Sequence, residues 1–120
     1  MRIDELYEMT GDNYANVLER FGDEETLAYI MRKFPRDPNF RELKRALEAG
    51  DNEKAFRAAH TLKGISLNLG FDGMNKPLSV LTEILRGRAS GNTAELFSEV
   101  EKEYDRIVEL IAVMDENLSS

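Results

Sequence analysis

The 120-residue chain has no cysteine and a single histidine. The first absence removes disulfides, thiol nucleophiles and cysteine-based zinc sites together, although it says little about compartment. With one imidazole and no thiolate, a closed zinc site of the usual kinds cannot be assembled, and no carboxylate pair stands out for acid and base work. No metal site is therefore expected. Long apolar runs are missing too: no segment approaches about 18 consecutive apolar residues, and Met1 to Gly22 lacks the basic-then-apolar plan of a secretory signal. A cytoplasmic protein with no membrane association is the default expectation. Neither a Walker-type glycine loop nor Gly-x-Gly-x-x-Gly occurs, so the sequence offers no nucleotide cradle. Positive charge is in deficit, 16 basic against 23 acidic residues for a net −7. Such a balance opposes nucleic acid and anionic lipid unless a local basic patch overrides it. Strand alternation, internal repeats and low-complexity tracts are also lacking.

What remains is 42% hydrophobic and 32% charged residues, ordinary for one globular domain with a single core. The apolar period is helical from end to end. Ile3 to Met9 forms a short amphipathic helix, and Gly11-Asp12 punctuates and caps a second one through Phe21, with Val17, Leu18 and Phe21 inward. A third helix begins at Asp23, whose carboxylate caps free amides while Glu24 and Glu25 favour the positive end of the dipole. It buries Leu27, Ile30, Met31 and Phe34. The segment Phe34-Pro35-Arg36-Asp37-Pro38 breaks the helix, since residues before proline leave the helical region, and Asp37-Pro38 then starts the next one. Phe40, Leu43, Ala46 and Leu47 space that helix, and Gly50 ends it.

Beyond a central helix from Asp51, Gly70-Phe71-Asp72-Gly73 reads as a tight connection into a helix carrying Met74, Leu78, Leu81 and Leu85. Pro77 predicts a late start or a kink there. Gly87 to Gly91 is a loop, and Asn92 with Glu95 resembles a capping box. The last helix, Thr93 to near Asn117, is a rod of about 36 Å bearing Phe97, Val100, Tyr104, Ile107, Val108, Ile111, Met114 and Leu118 on its apolar side. The fold expected is all-α: an antiparallel up-down four-helix bundle over residues 37–118, with short additional N-terminal helices over 1–36 capping one end.

The chemically pointed stretch is Asp51 to Gly70, DNEKAFRAAHTLKGISLNLG. At about 100° per residue, Ala55, Ala59, Leu62, Ser66 and Leu69 form one stripe with Ala58 and Ile65 at its edge, which is a face for a core. His60 lies roughly 160° from the centre of that stripe, toward solvent. Phe56 and Gly64 lie one turn either side of it, and Arg57 and Lys63 stand at i−3 and i+3. A glycine inside a helix costs about 1 kcal/mol relative to alanine, so Gly64 needs a reason. Leaving one edge of the imidazole open to a partner is one reason; close helix packing is another. Phe56 and Leu67, within about 40° of His60, offer an apolar surface to a docking partner, although a neighbouring helix could equally cover Phe56.

The run AHTLKGISLNLG, with His60, Lys63, Gly64, Asn68 and Gly70 in this spacing, resembles the motif of histidine-containing phosphotransfer domains, abbreviated HPt. Weaker similarities extend to Phe21-Gly22-Asp23-Glu24-Glu25, to Ala49-Gly50-Asp51 and to the long C-terminal helix. The departures are Ile65 and Leu67 after the motif glycine, Leu81-Thr82-Glu83 in the next helix, and Lys76-Pro77 within it. The resemblance implies an antiparallel four-helix bundle that displays one histidine. That histidine, His60, would take a phosphoryl group from a receiver-domain aspartyl-phosphate and pass it to another receiver. Lys63 and Arg57 would stabilise the phosphoryl oxygens, Gly64 would give access, and Phe56 and Leu67 would serve docking.

Expected partners are the receiver domains of hybrid histidine kinases or response regulators, with Mg²⁺ belonging to the receiver and no cofactor in this chain. With no kinase or receiver segment in its sequence, the chain is expected to act as a separate monomeric phosphocarrier and not as an enzyme. Two other readings stay open. Helix, Gly70-to-Gly73 turn and helix, followed by Lys76, Arg86 and Arg88, can be read as helix-turn-helix DNA binding, against which the net charge speaks. A bundle of HPt shape can also act only as a docking or inhibitory module.

Overall fold

The computed structural model describes residues 1–119, with side chains through Asp115. Its elements are α1 (Ile3–Thr10), α2 (Tyr14–Phe21), α3 (Glu24–Lys33), a 3₁₀ turn (Phe34–Arg36), α4 (Asn39–Ala49), α5 (Asn52–Leu69), α6 (Asp72–Leu85) and α7 (Thr93–Ser119). No strand occurs among the described residues, so the fold is all-α as the apolar period requires. The inward positions of α7 expected from sequence, Val100, Tyr104, Ile107, Ile111 and Met114, are buried; the side chain of Leu118 lies outside the described residues.

Local chemistry sets most boundaries. The carboxylates of Asp23 and Asp51 accept from the amides of Thr26 and Lys54 at 2.7 and 3.1 Å, capping α3 and α5. Asn92 does the same for α7 through the Glu95 amide. The α4–α5 and α5–α6 connections stop alike, with Gly50 and Gly70 both at φ +71°. Their amides bond to Leu47 and Leu67, and the next amides, of Asp51 and Phe71, reach back to Ala46 and Ser66. This stop needs a left-handed residue, which glycine supplies without strain.

Three expectations about boundaries are corrected. Asn13, not Asp12, caps α2 by accepting from Asn16. The carboxylate of Asp12 instead accepts from the amide of Asp72 at 3.1 Å and so serves α6. The segment 34–38 does end α3, at Lys33, but not because Phe34 leaves the helical region: this residue keeps helical dihedrals before Pro35, and the chain tightens into the 3₁₀ turn. Phe34 is buried against Phe71 and Tyr104, with ring centroids 5.3 and 5.4 Å away, and that packing overrides the local bias against helix before proline. The extended residue is Asp37, before Pro38, and its carboxylate accepts from the Asn39 amide at the start of α4. Finally, α6 starts at Asp72, so only Gly70 and Phe71 connect it to α5 and Pro77 lies inside the helix. The first turn of α6 is held from outside by Asp12, which lets the helix begin ahead of its proline.

Helices α4, α5, α6 and α7 pack in sequence as antiparallel neighbours. Side chains close the bundle between α4 and α7: Phe40 stacks on Tyr104 at 3.8 Å and 7° and on Phe97 at 5.5 Å and 17°, and Lys44 pairs with Glu101 at 3.0 Å. Helices α1 to α3 cover one end. Arg106 of α7 donates to the Met9 carbonyl, and Arg32 of α3 pairs with Asp115 at 2.9 Å. At the α5–α6 turn, the buried Tyr7 hydroxyl donates to the Leu69 carbonyl at 2.6 Å. Arg20 of α2 donates to the carbonyls of Leu67 and Asn68 at 2.8 and 2.6 Å. These are acceptors that a helix C-terminus leaves without intrahelical partners.

Candidate functional site

The stripe expected on α5 is buried as a unit: Ala55, Ala58, Ala59, Leu62, Ser66 and Leu69 all face the core. Small residues at 55, 58 and 59 let α4 and α6 approach α5 from both sides. With that face committed, His60 stands on the opposite one, near the middle of the 18-residue helix, and is exposed. Among the described residues no hydrogen bond or ion pair engages its ring; its one ring contact is with Phe56, near-parallel at 24° with centroids 5.8 Å apart. Both ring nitrogens are therefore left to solvent or to a partner.

The flanks of His60 differ. On the α6 side, Phe56 is half-buried, because the guanidinium of Arg86, at the end of α6, lies 5.0 Å over its ring. The neighbouring helix does reach Phe56, through a cation and not through an apolar side chain. Lys63 is half-buried on this side, and no ion pair engages it among the described residues. Toward α4, Arg57 pairs loosely with Glu53 at 3.8 Å. It lines an open groove of about 610 Å³ together with Arg45, Lys54, Ala58 and Thr61.

Gly64 decides between two readings left open by sequence. A Cβ at this position would meet nothing within 4 Å, so close packing does not explain the glycine and the space over it is open. Leu67 continues the same face and is 46% exposed. The structure thus brings His60, Phe56, Lys63, Gly64 and Leu67 onto one surface, with Arg57 at its α4 edge.

Beneath that surface the Ser66 hydroxyl, fully buried, lies 2.9 Å from both the Lys63 carbonyl and the Asn75 side-chain amide of α6. Having one proton, it donates to the Lys63 carbonyl and, with the amide turned, accepts from the Asn75 side-chain N–H. Ser66–Asn75 at one end and Phe56–Arg86 at the other show α5 and α6 lying alongside over most of their lengths. A helix-turn-helix unit crosses its helices at a steep angle, so this pair does not have that geometry.

Sequence reasoning missed three participants. Tyr7, Arg20 and Asp12 hold the α5–α6 turn from more than 40 residues away, and no local pattern marks such partners. Arg86 was visible only as a basic residue after a turn. Among the described residues no group of three or more histidine or acidic side chains is placed to hold a metal ion, and no helix is long and apolar enough to cross a membrane.

Comparison with curated proteins and with solved structures finds no significant match. A model of the Hpt domain family does match, over residues 37–110, which takes in α4, α5, α6 and much of α7. Hpt domains are phosphocarriers of two-component signalling, and they meet receiver domains. Matched over more than half its length, and built as the helical bundle that goes with the match, this chain belongs to the Hpt domain family.

Proposed function

We propose that His60 is the phosphoacceptor of a phosphorelay, taking a phosphoryl group from the aspartyl-phosphate of one receiver domain and delivering it to another. The observation that carries this reading is an exposed imidazole that no hydrogen bond or ion pair engages among the described residues, beside a glycine over which the space is open. In the step itself the lone pair of the outer nitrogen, Nε2, attacks phosphorus in line. The N–P bond forms as the aspartyl P–O bond breaks, the carboxylate departs with the electron pair, and the proton on Nδ1 passes to solvent. Delivery to the second receiver is the reverse.

Lys63 and Arg57 supply positive charge near the incoming oxygens, while Phe56 and Leu67 give the receiver apolar contact. Catalytic assistance comes mostly from the partner, whose acidic pocket holds Mg²⁺; the chain acts as a carrier without a cofactor of its own. We place the carrier function in residues 37–118, with residues 1–36 as a supporting cap. Its partners are the receivers of hybrid kinases or response regulators, met as a monomer in the cytoplasm.

The test is transfer of label. Incubation with a phosphorylated receiver is expected to label the wild-type chain at an acid-labile, base-stable position and to leave His60→Gln unlabelled. Undiminished labelling of His60→Gln would overturn the assignment.

A further inference from the structure

Arg86 is a cation beside the candidate site to which the reading above gives no task. Its backbone is fixed: the Arg86 amide bonds to the Thr82 carbonyl at 2.9 Å, and the amides of Gly87 and Arg88 return to Ile84 and Glu83, closing the end of α6. Its side chain is held far less firmly. The guanidinium rests over Phe56 at 5.0 Å and stands 3.7 Å from the Glu83 carboxylate, too far for a hydrogen bond. Neither a cation–π contact nor an ion pair is strong where water has access, and the side chain is about one third exposed. The ring beneath it is the same ring that stacks against His60. Arg86 and His60 therefore share one neighbour, and the contacts that hold Arg86 there are weak enough to exchange for better ones.

We propose that Arg86 is the α6 cation that pairs with the phosphoryl group once it is on His60, leaving the Phe56 ring to do so. This rests on His60 being the phosphoacceptor. A phosphoryl group presents oxygens that a planar guanidinium can bind through two parallel N–H donors, a match superior to anything Phe56 or Glu83 offers. Phe56 then has a second purpose as the platform on which the unloaded cation waits. Arg57 is placed differently. It follows Phe56 in sequence, so it points about 100° away on the helix, and it has its own acidic neighbour, Glu53. Lys63, on the same flank as Phe56, adds charge without the planar fork.

The experiment loads the intact chain chemically, with phosphoramidate as a small-molecule donor, so that no receiver is needed. The phosphorus-31 resonance of the phosphohistidine is then followed against pH above 5. A neighbouring cation disfavours a proton on the phosphorylated group, whether on the ring or on an oxygen. Removing that cation must therefore raise the midpoint. Arg86→Gln is expected to raise it by about half a pH unit, Arg86→Lys to restore most of the difference, and Lys44→Gln, which removes a cation at the α4–α7 seam, to leave it near the wild-type value. An unchanged midpoint in Arg86→Gln overturns the proposal, as does an equal rise in Lys44→Gln. A phosphorylated receiver that labels His60→Gln as fully as wild type removes the phosphoacceptor assignment itself, and the role of Arg86 with it, whereas the midpoint of the chemically loaded chain tests Arg86 alone.

Discussion

Tyr7 and Leu69 stand 62 positions apart in sequence and 2.6 Å apart in space, the buried phenol donating to the last carbonyl of α5. Burial pushes the Tyr7 phenol above its ordinary range, so it remains a donor throughout neutral and moderately alkaline pH. Tyr7→Phe keeps the ring and loses the bond, leaving a carbonyl at the α5–α6 turn short of a partner. A loss of about 1–2 kcal/mol in unfolding free energy is expected from denaturant titration. Faster amide exchange at Gly70 and Phe71 should accompany it.

Gly64 separates stability from function. Because a Cβ there meets nothing and the residue is inside a helix, Gly64→Ala should stabilise the fold by about 1 kcal/mol. If the open space serves approach to His60, the same variant should accept label from a phosphorylated receiver more slowly, and Gly64→Gln more slowly still. A variant that is stabilised and transfers at the wild-type rate would remove the access role.

Asp12 yields a pH dependence. Burial raises its pKa, with the nearby Asp72 and Glu103 carboxylates adding to the effect and hydrogen bonds from Thr10 and the Asp72 amide opposing it. A carboxyl that binds its proton more readily folded than unfolded contributes stability at low pH. That contribution is lost as pH rises from the ordinary value of 3.8 through the raised one. Asp12→Asn keeps the acceptor for Asp72 and removes the charge. Its melting temperature should match or exceed wild type at pH 7, with the difference shrinking toward pH 4. A variant clearly less stable than wild type at pH 7 would contradict this sign.

Phe40 joins α4 to α7 through two stacked rings. Phe40→Ala empties that seam and should cost about 3–5 kcal/mol, read as a shift of the denaturation midpoint. Phe40→Leu, which refills most of the volume, should recover a large part of it.

How much of this was readable from the amino-acid order depends on how far each cause acts. The buried stripe of α5, the caps at Asp23 and Asp51, and the stops at Gly50 and Gly70 are decided within four or five residues, and all were legible. His60 was legible as outward-facing because the stripe behind it leaves no other direction. Asp12 was assigned to the wrong helix because its partner, Asp72, lies 60 residues on. Phe34 was expected to leave the helix because proline follows, but aromatic packing at the bundle end outweighs that bias. Arg86 reads in sequence only as a basic residue following the Gly70-to-Gly73 turn, since nothing in the order of residues says that it will lie over Phe56.

The small buried hydroxyl of Ser66 has one more consequence. Tied to its own helix through Lys63 and to the next through Asn75, it resists both rolling and sliding of α5. Whatever approaches His60 accordingly finds the imidazole at a single azimuth. On the phosphorelay reading proposed above, choice among receivers would then fall to the rim of side chains around the ring, which can vary without disturbing the axle that holds it.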